Sequence, residues 1–405
     1  MKRILTTAAV AASALTVGHA SADSIRIAHV TGFSGALEAY AEQTARGMEM
    51  GFEYATDGSM EIEGRAIEML RKDDQGDPSR ARALAEEAYA EDDAHMVVGS
   101  IASGVALAML DVAQEWERIM IPEGVADGIT GERHNRYVFR VGRNSSQDAV
   151  SNAVAVAVGG DGVCVSTIAQ DYAFGRDGVS AYKEAMEAEG GRILHEEYLP
   201  TDATDFTAAA ERLFESLRDR DDCNDKYIFG IWAGQTNPFG RIQDLNPERF
   251  GITMSTGGNI LPAMVGYSDF EGMEGATFYY YEHVDNSMNN WLVDEHYERH
   301  DAAPDFFTAQ GFSQAVAITE AIRASGGSTD VEDLIDAFRG LEFDTPKGAM
   351  RIRPEDHQAM QSMFHFQIER QRRSDWFAGD DEQTVGVPVL VREIPMDELD
   401  IPIRN

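Results

Sequence analysis

The sequence predicts an α/β protein built as two doubly wound parallel-sheet lobes joined by a three-strand hinge. Three observations carry this expectation. From Ile25 onward, short apolar runs alternate with amphipathic helical stretches, the rhythm of a parallel sheet covered by helices on both faces. The rhythm stops at a polar loop, Gly128 to Asn135, and restarts after Tyr137-Val138-Phe139-Arg140-Val141. The length, 405 residues, exceeds the roughly 250–300 residues at which single hydrophobic cores stop growing.

The opening residues suggest an address. Met1-Lys2-Arg3 is basic, Ile4 to Val17 is apolar or small, and Ala20-Ser21-Ala22 supplies the small residues that signal peptidase accepts. The run is too short to span a bilayer and fits a signal-peptide core. A signal peptide over 1–22 is expected, with a secreted, periplasmic chain beginning at Asp23. No cysteine follows the core and no later apolar run approaches the ~20 residues of a transmembrane helix, so no direct membrane insertion is expected.

In the first lobe, Ile25 to Val30 is a strand, and Leu37 to Ala55 a helix with Leu37, Tyr40, Met48 and Phe52 at helical spacing. Arg65 to Lys72 is the second strand. Asp77-Pro78 offers a carboxylate cap and a proline for the first helical position, opening a helix that ends near Glu91. His95 to Gly99, Gly104 to Glu117 and Ile119 to Pro122 give strand, helix, strand.

Tyr137 to Val141 marks the crossing into the second lobe. There follow the helix Gln147 to Val158, strand Val163 to Ile168, helix Arg176 to Ala188, strand Arg192 to Tyr198 and helix Phe206 to Leu217. Strands Tyr227 to Trp232 and Ile252 to Ser255 come next. After the apolar Gly275 to Tyr281 a return crossing is expected near His283. Helices at 291–300, 309–324 and 331–341 then complete the first lobe, and strands Ala349 to Ile352 and Met363 to Glu369 complete the second. The lobes thus comprise 23–138 with 283–343, and 139–282 with 344–405, the latter carrying a C-terminal extension in which Asp380 to Glu382 is a solvated loop.

A formal net charge of −36 makes nucleic acid and anionic membranes improbable partners, because their phosphates would be repelled. Only five lysines stand beside 29 arginines; such a surface fits adaptation to high salt, where screening relieves self-repulsion, or an ordinary acidic periplasmic protein. Cys164 and Cys223 lie near the starts of two strands that neighbour each other in a sheet of order 2-1-3. A disulfide and two buried thiols both fit; the spacing excludes a CxxC redox pair.

Signatures of an enzyme are missing from the sequence. There is no GxSxG elbow, no GxGxxG after a strand, no P-loop and no HExxH. Gly32-Phe33-Ser34-Gly35 is followed by Ala36 where the elbow needs glycine, and Gly159-Gly160-Asp161-Gly162 precedes its strand. His296 and His300, four apart, sit on a polar helix and are expected to face solvent. No catalytic residue, metal site or cofactor is expected.

Several segments, in order, carry a likeness: Thr31-Gly32-Phe33-Ser34-Gly35, Arg71-Lys72-Asp73-Asp74, Val98-Gly99-Ser100 with Ala102-Ser103, Phe139-Arg140-Val141, Asp171-Tyr172-Ala173-Phe174-Gly175, Gln310-Gly311-Phe312 and Thr345-Pro346-Lys347-Gly348. Through them the chain resembles the type I periplasmic binding proteins of the branched-chain amino acid (Leu/Ile/Val-binding) family over nearly all its mature length. The resemblance implies a ligand-binding cleft in which Ser103, with Ser100 and Ala102, holds a carboxylate; Ser103 also fits a plain helix cap. Gly124, Val125 and Ala126 would add backbone contacts. Tyr172, Phe174 and Trp232 would close aromatic rings over the solute. Gly257 falls where amino-acid binders carry an acidic residue for the ammonium, a task glycine cannot perform; Asp171 or Glu123 could replace it, or both could be solvated loop carboxylates.

The expected function is that of the periplasmic substrate-binding component of an ABC importer. It would capture a small amphipathic solute, an amino acid, amide or carboxylate, and as a monomer meet an ABC permease in the inner membrane. The alternatives are a ligand-sensing receptor subunit of the same fold and a secreted α/β enzyme.

Overall fold

A computed structural model describes residues 24–234, 236–379 and 381–405. The expected signal peptide lies outside the described residues, as do Gln235 and Asp380. The chain opens with β1 (Ile25–Thr31), α1 (Glu38–Ala55), β2 (Glu61–Ile62), β3 (Arg65–Asp73), α2 (Pro78–Ala90), β4 (Met96–Val98), α3 (Ser103–Trp116) and β5 (Ile119–Ile121). Their sheet runs β2-β3-β1-β4-β5, and all but the short β2 are parallel. Met96-Val97-Val98 and Ile119-Met120-Ile121 are completely buried, as parallel strands covered on both faces must be. Asp77 caps α2 by accepting the N–H groups of Ser79 and Arg80, with Pro78 in the first turn.

The second lobe is built from α4 (Ser145–Val156), β6 (Val163–Gln170), α5 (Ala173–Ala188), β7 (Arg192–Leu199), α6 (Thr207–Arg218), β8 (Asp225–Ile231), α7 (Phe239–Gln243), β9 (Ile252–Thr256), α8 (Leu261–Met264) and β10 (Glu274–Thr277). Strand β6 lies between β7 and β8, parallel to both. A disulfide joins Cys164, in β6, to Cys223, just ahead of β8, with their Cα atoms 5.8 Å apart. It ties together the starts of two neighbouring strands.

Three helices, α9 (Ser287–His300), α10 (Phe306–Ala324) and α11 (Val331–Phe338), then return to the first core. Helix α10 lies unusually close to α1. A Cβ at Gly47 would fall 2.0 Å from the Thr308 carbonyl oxygen, and one at Gly311 would fall 2.0 Å from that of Thr44; only glycine admits so close an approach. Strands β11 (Glu342–Thr345), β12 (Gly348–Ile352) and β13 (Ala359–Gln361) form a separate three-stranded sheet. Finally β14 (Met363–Arg373) and β15 (Gln383–Ile394) add an antiparallel hairpin beside β10, giving the order β15-β14-β10-β9-β8-β6-β7.

The structure corrects two expectations, the place of the strand at Ala349 to Ile352 and the exposure of His296, and adds detail at two further points. The strand at Ala349 to Ile352 does not enter the second lobe's sheet: it pairs within the three-stranded sheet and buries Met350 and Ile352 in the first core. Strand β15 is unread in the sequence, because Gly386 and Pro388 interrupt its apolar residues. Tyr137 to Val141 forms only isolated bridges, Met120 with Val138 and Arg140 with Gln358. His296 is buried, not solvent-facing; its Nδ1 pairs with the Ala302 carbonyl at 2.7 Å.

At the hinge, two crossing segments run side by side: Arg140 N–H donates to His357 O at 3.0 Å, and Ala359 N–H to Arg140 O at 2.9 Å. The buried Arg140 guanidinium donates to Gln358 Oε1, Thr130 Oγ1 and the carbonyls of Gly124 and Ala126. Burial lowers its pKa to about 10, and these four acceptors compensate its desolvation.

Candidate functional site

The carboxyl ends of both parallel sheets face a cleft, where loops and helix starts gather. One cavity, about 540 Å³ including its open mouth, lies between Ser103, Glu123 and Val125 of the first lobe and Tyr172, Phe174 and Trp232 of the second. An adjoining cavity of about 590 Å³ shares Arg143, Phe174 and Trp232 with it and extends to Gly257 and Thr277. Of the residues singled out in the sequence, Ser103, Val125, Tyr172, Phe174, Trp232 and Gly257 therefore line one connected space.

Ser103 does not occupy the capping position. It is the first residue of α3, and Ala102 holds the cap position without a side-chain bond. Its Oγ accepts the N–H groups of Val125 and Ala126, each at 3.2 Å. Those two N–H groups are thus spent inside the protein, while the hydroxyl proton is left to donate. Gly124 and Ala126 turn their carbonyls to Arg140, at 3.2 and 2.7 Å, and Ala126 borders an outer crevice with Asp127 and Arg404. Ser100 and Ala102 border a wider outer mouth that they share with Tyr172.

The aromatic side chains are fixed by their neighbours. Trp232 is nearly buried, donates Nε1–H to Thr236 O at 2.7 Å, and meets Phe206 edge-on at 5.4 Å. Tyr172 tilts against Phe174 at 5.8 Å, and burial pushes its phenol upward. From the first lobe, Tyr40 stacks on Phe307 at 4.6 Å. Its hydroxyl crosses to the second lobe, accepting Gly234 N–H at 2.9 Å and donating to Asn259 Oδ1 at 3.1 Å.

Sequence reasoning passed over Arg143, which stands just beyond the first crossing and lines both cavities. Its guanidinium lies 4.6 Å from the centre of the Phe306 ring and 4.9 Å from that of Phe278, geometry that stabilises a cation. Nε donates to Asp148 Oδ2 at 2.9 Å. Burial raises the Asp148 carboxyl and Arg143 opposes that rise. Nearby, Lys347 Nζ is buried 5.0 Å from the Phe278 ring centre, and burial, then repulsion by Arg143, depresses its ammonium. The only sequence signal was an arginine next to a crossing; its position under two rings arises from residues more than 130 positions away.

The two acidic candidates separate clearly. Asp171 is a surface residue paired with Arg176 at 2.7 Å. Glu123 has a completely buried side chain, its Oε1 3.0 Å from His29 Nε2, and lines the first cavity. Among the described residues no group of three or more His, Cys, Asp or Glu is arranged to hold a metal ion.

The model of a family described as periplasmic binding protein matches residues 24–374. This chain belongs to that family. A crystal structure of an ABC-type branched-chain amino acid transporter from Rhodopseudomonas palustris is 51% identical, with a TM-score of 0.82, covering 94% of this chain and 99% of that one. The Leu/Ile/Val-binding protein homolog 6 of Brucella abortus (strain 2308) is 23% identical over 378 residues, 90% of this chain and 92% of the relative. A solute-binding protein of an ABC transporter from Rhodopseudomonas palustris BisB5, in complex with 3,4-dihydroxybenzoic acid, shares the fold at 22% identity and a TM-score of 0.79, covering 94% and 99% of the two chains.

The periplasmic binding protein described here is thus a solute-binding component of an ABC transporter. No helix among the described residues is long and apolar enough to cross a membrane.

Proposed function

We propose that this protein, exported to the periplasm by its signal peptide, captures a small carboxylate with an apolar or aromatic body and passes it unchanged to an inner-membrane permease. The observation that carries the solute class is Arg143: a cation set among phenylalanine rings in the cleft offers charge to a carboxylate and apolar area to what lies beside it. Ser103 adds a hydroxyl donor from the opposite lobe. Bridging both lobes stabilises the closed form by the contacts made only there. Two distant relatives of the same fold are described in complex with benzoate and 4-hydroxybenzoate, and the half-identical relative is described as a branched-chain amino acid transporter; both classes carry the carboxylate.

Calorimetric titration of the mature protein with benzoate, 4-hydroxybenzoate, leucine and 4-methylpentanoate tests this. At least one should bind, and Arg143→Met and Trp232→Ala should each weaken it by about tenfold or more. Absence of binding by all four, or turnover of a bound compound, would refute the proposal.

A further inference from the structure

Glu123 stands on the loop after β5, and its carboxylate is half used. Oε1 pairs with His29 Nε2 at 3.0 Å, while Oε2, equally buried, accepts no hydrogen bond. His29 comes from β1 and is held edge-on by Phe33 at 5.1 Å, so one oxygen is anchored and the other is left over. Buried acceptors are ordinarily satisfied, and a charged one left alone is costly. Yet Glu123 lines the same cavity as Ser103 and Arg143.

We infer that Glu123 is a specificity-determining residue of the cleft, its Oε2 accepting an O–H or N–H donor carried by the solute. The inference rests on the cleft reading above and narrows the solute class: beyond its carboxylate, the solute bears a hydrogen-bond donor, either a hydroxyl or an ammonium. Another charged group near this carboxylate is Asp74, just beyond β3, whose own carboxyl is raised by burial and, to a lesser degree, by Glu123. A second carboxyl group beside this one favours a donor over a further acceptor. A site built to bond a donor rejects the analogue lacking it more strongly than an apolar pocket rejects a missing methylene.

Matched pairs test this in the mature protein by calorimetry: 4-hydroxybenzoate against benzoate, and leucine against 4-methylpentanoate. In at least one pair the donor-bearing member should bind about tenfold tighter or more, and Glu123→Met should reduce that preference to within about twofold. Glu123→Gln distinguishes the sources, since an amide oxygen still accepts from a hydroxyl but offers an ammonium no charge: retained preference identifies the hydroxyl, lost preference the ammonium. Binding without preference in either pair, or a preference that persists in a Glu123→Met protein with native circular dichroism, overturns the inference while leaving the cleft reading intact. Failure of all four compounds to bind overturns both.

Discussion

Asp305 and Leu261 belong to different lobes, yet the Asp305 carboxylate accepts the Leu261 N–H at 3.0 Å. The same carboxylate caps α10 through Phe306 N–H and accepts Gln43 Nε2–H from α1. One side chain thus joins two helices of the first lobe to the start of α8 in the second. Despite these three donors, burial pushes the Asp305 carboxyl up to about 7, with Arg46 opposing and Tyr40 and Tyr279 close by.

Folding therefore takes up a proton at Asp305 between about pH 4 and pH 7. The stabilisation is fully present below pH 4 and is lost as pH rises through 7. His283, His296 and His357, pulled down to about 4 by burial, act oppositely: their contribution is present above about 6.5 and is lost as pH falls toward 4. The difference in melting temperature between wild type and Asp305→Asn isolates the carboxyl, since the histidines occur in both. Wild type should lose ground to the variant as pH rises from 4 to 7; a flat difference would refute the assignment.

Tyr40→Phe keeps the ring on Phe307 but removes both hydrogen bonds to the second lobe. Each is worth about 0.5–1.5 kcal/mol net, so solute affinity should fall by about tenfold while the melting temperature of the free protein changes little. Calorimetry and differential scanning fluorimetry measure the two effects. Unaltered affinity would mean that these bonds do not hold the closed form.

The Cys164–Cys223 bridge closes a separation of 59 residues, for which chain-entropy reasoning gives roughly 4 kcal/mol. Cys164→Ala/Cys223→Ala should melt about 5 °C lower. An unchanged melting temperature would show that the bridge constrains nothing in the unfolded chain.

At the C-terminus, Arg404 pairs with Glu184 of the second lobe at 2.6 Å and lies 3.5 Å from Asp127 of the first. Asp127 N–H in turn donates to the Asp177 carboxylate, whose pKa is raised by burial and then by Asp127. Arg404 shares this inter-lobe acidic group with the buried Arg140, which also faces Asp127 and Asp177. Because it is partly exposed, Arg404→Ala should cost no more than about 1 kcal/mol at low ionic strength, and the loss should shrink in about 1 M NaCl. Equal losses at both salt concentrations would argue for packing rather than charge.

Much of this architecture was legible in residue order. Buried strands such as Met96-Val97-Val98 are short continuous apolar runs, and Asp77-Pro78 signals a helix start whatever lies around it, because both depend on neighbours a few positions away. Trp232 and Tyr172 were legible as cleft residues through their places at strand and helix ends. The pairing of Arg143 with Phe278 and Phe306, the inward turn of Glu123 toward His29, and the loss of Ser103's partners to its own neighbours were not. They depend on which loops the two sheets bring face to face. β12 shows the same limit: its alternation specifies a strand, but which core buries Met350 and Ile352 is decided by competition between two apolar surfaces far apart in the chain. The sequence by itself determined most of the elements and the two-lobed class, because those follow from local periodicity and composition. Only the tertiary structure decided which charged groups are buried together in the cleft, because desolvation and hydrogen bonding are set by neighbours that residue order does not name.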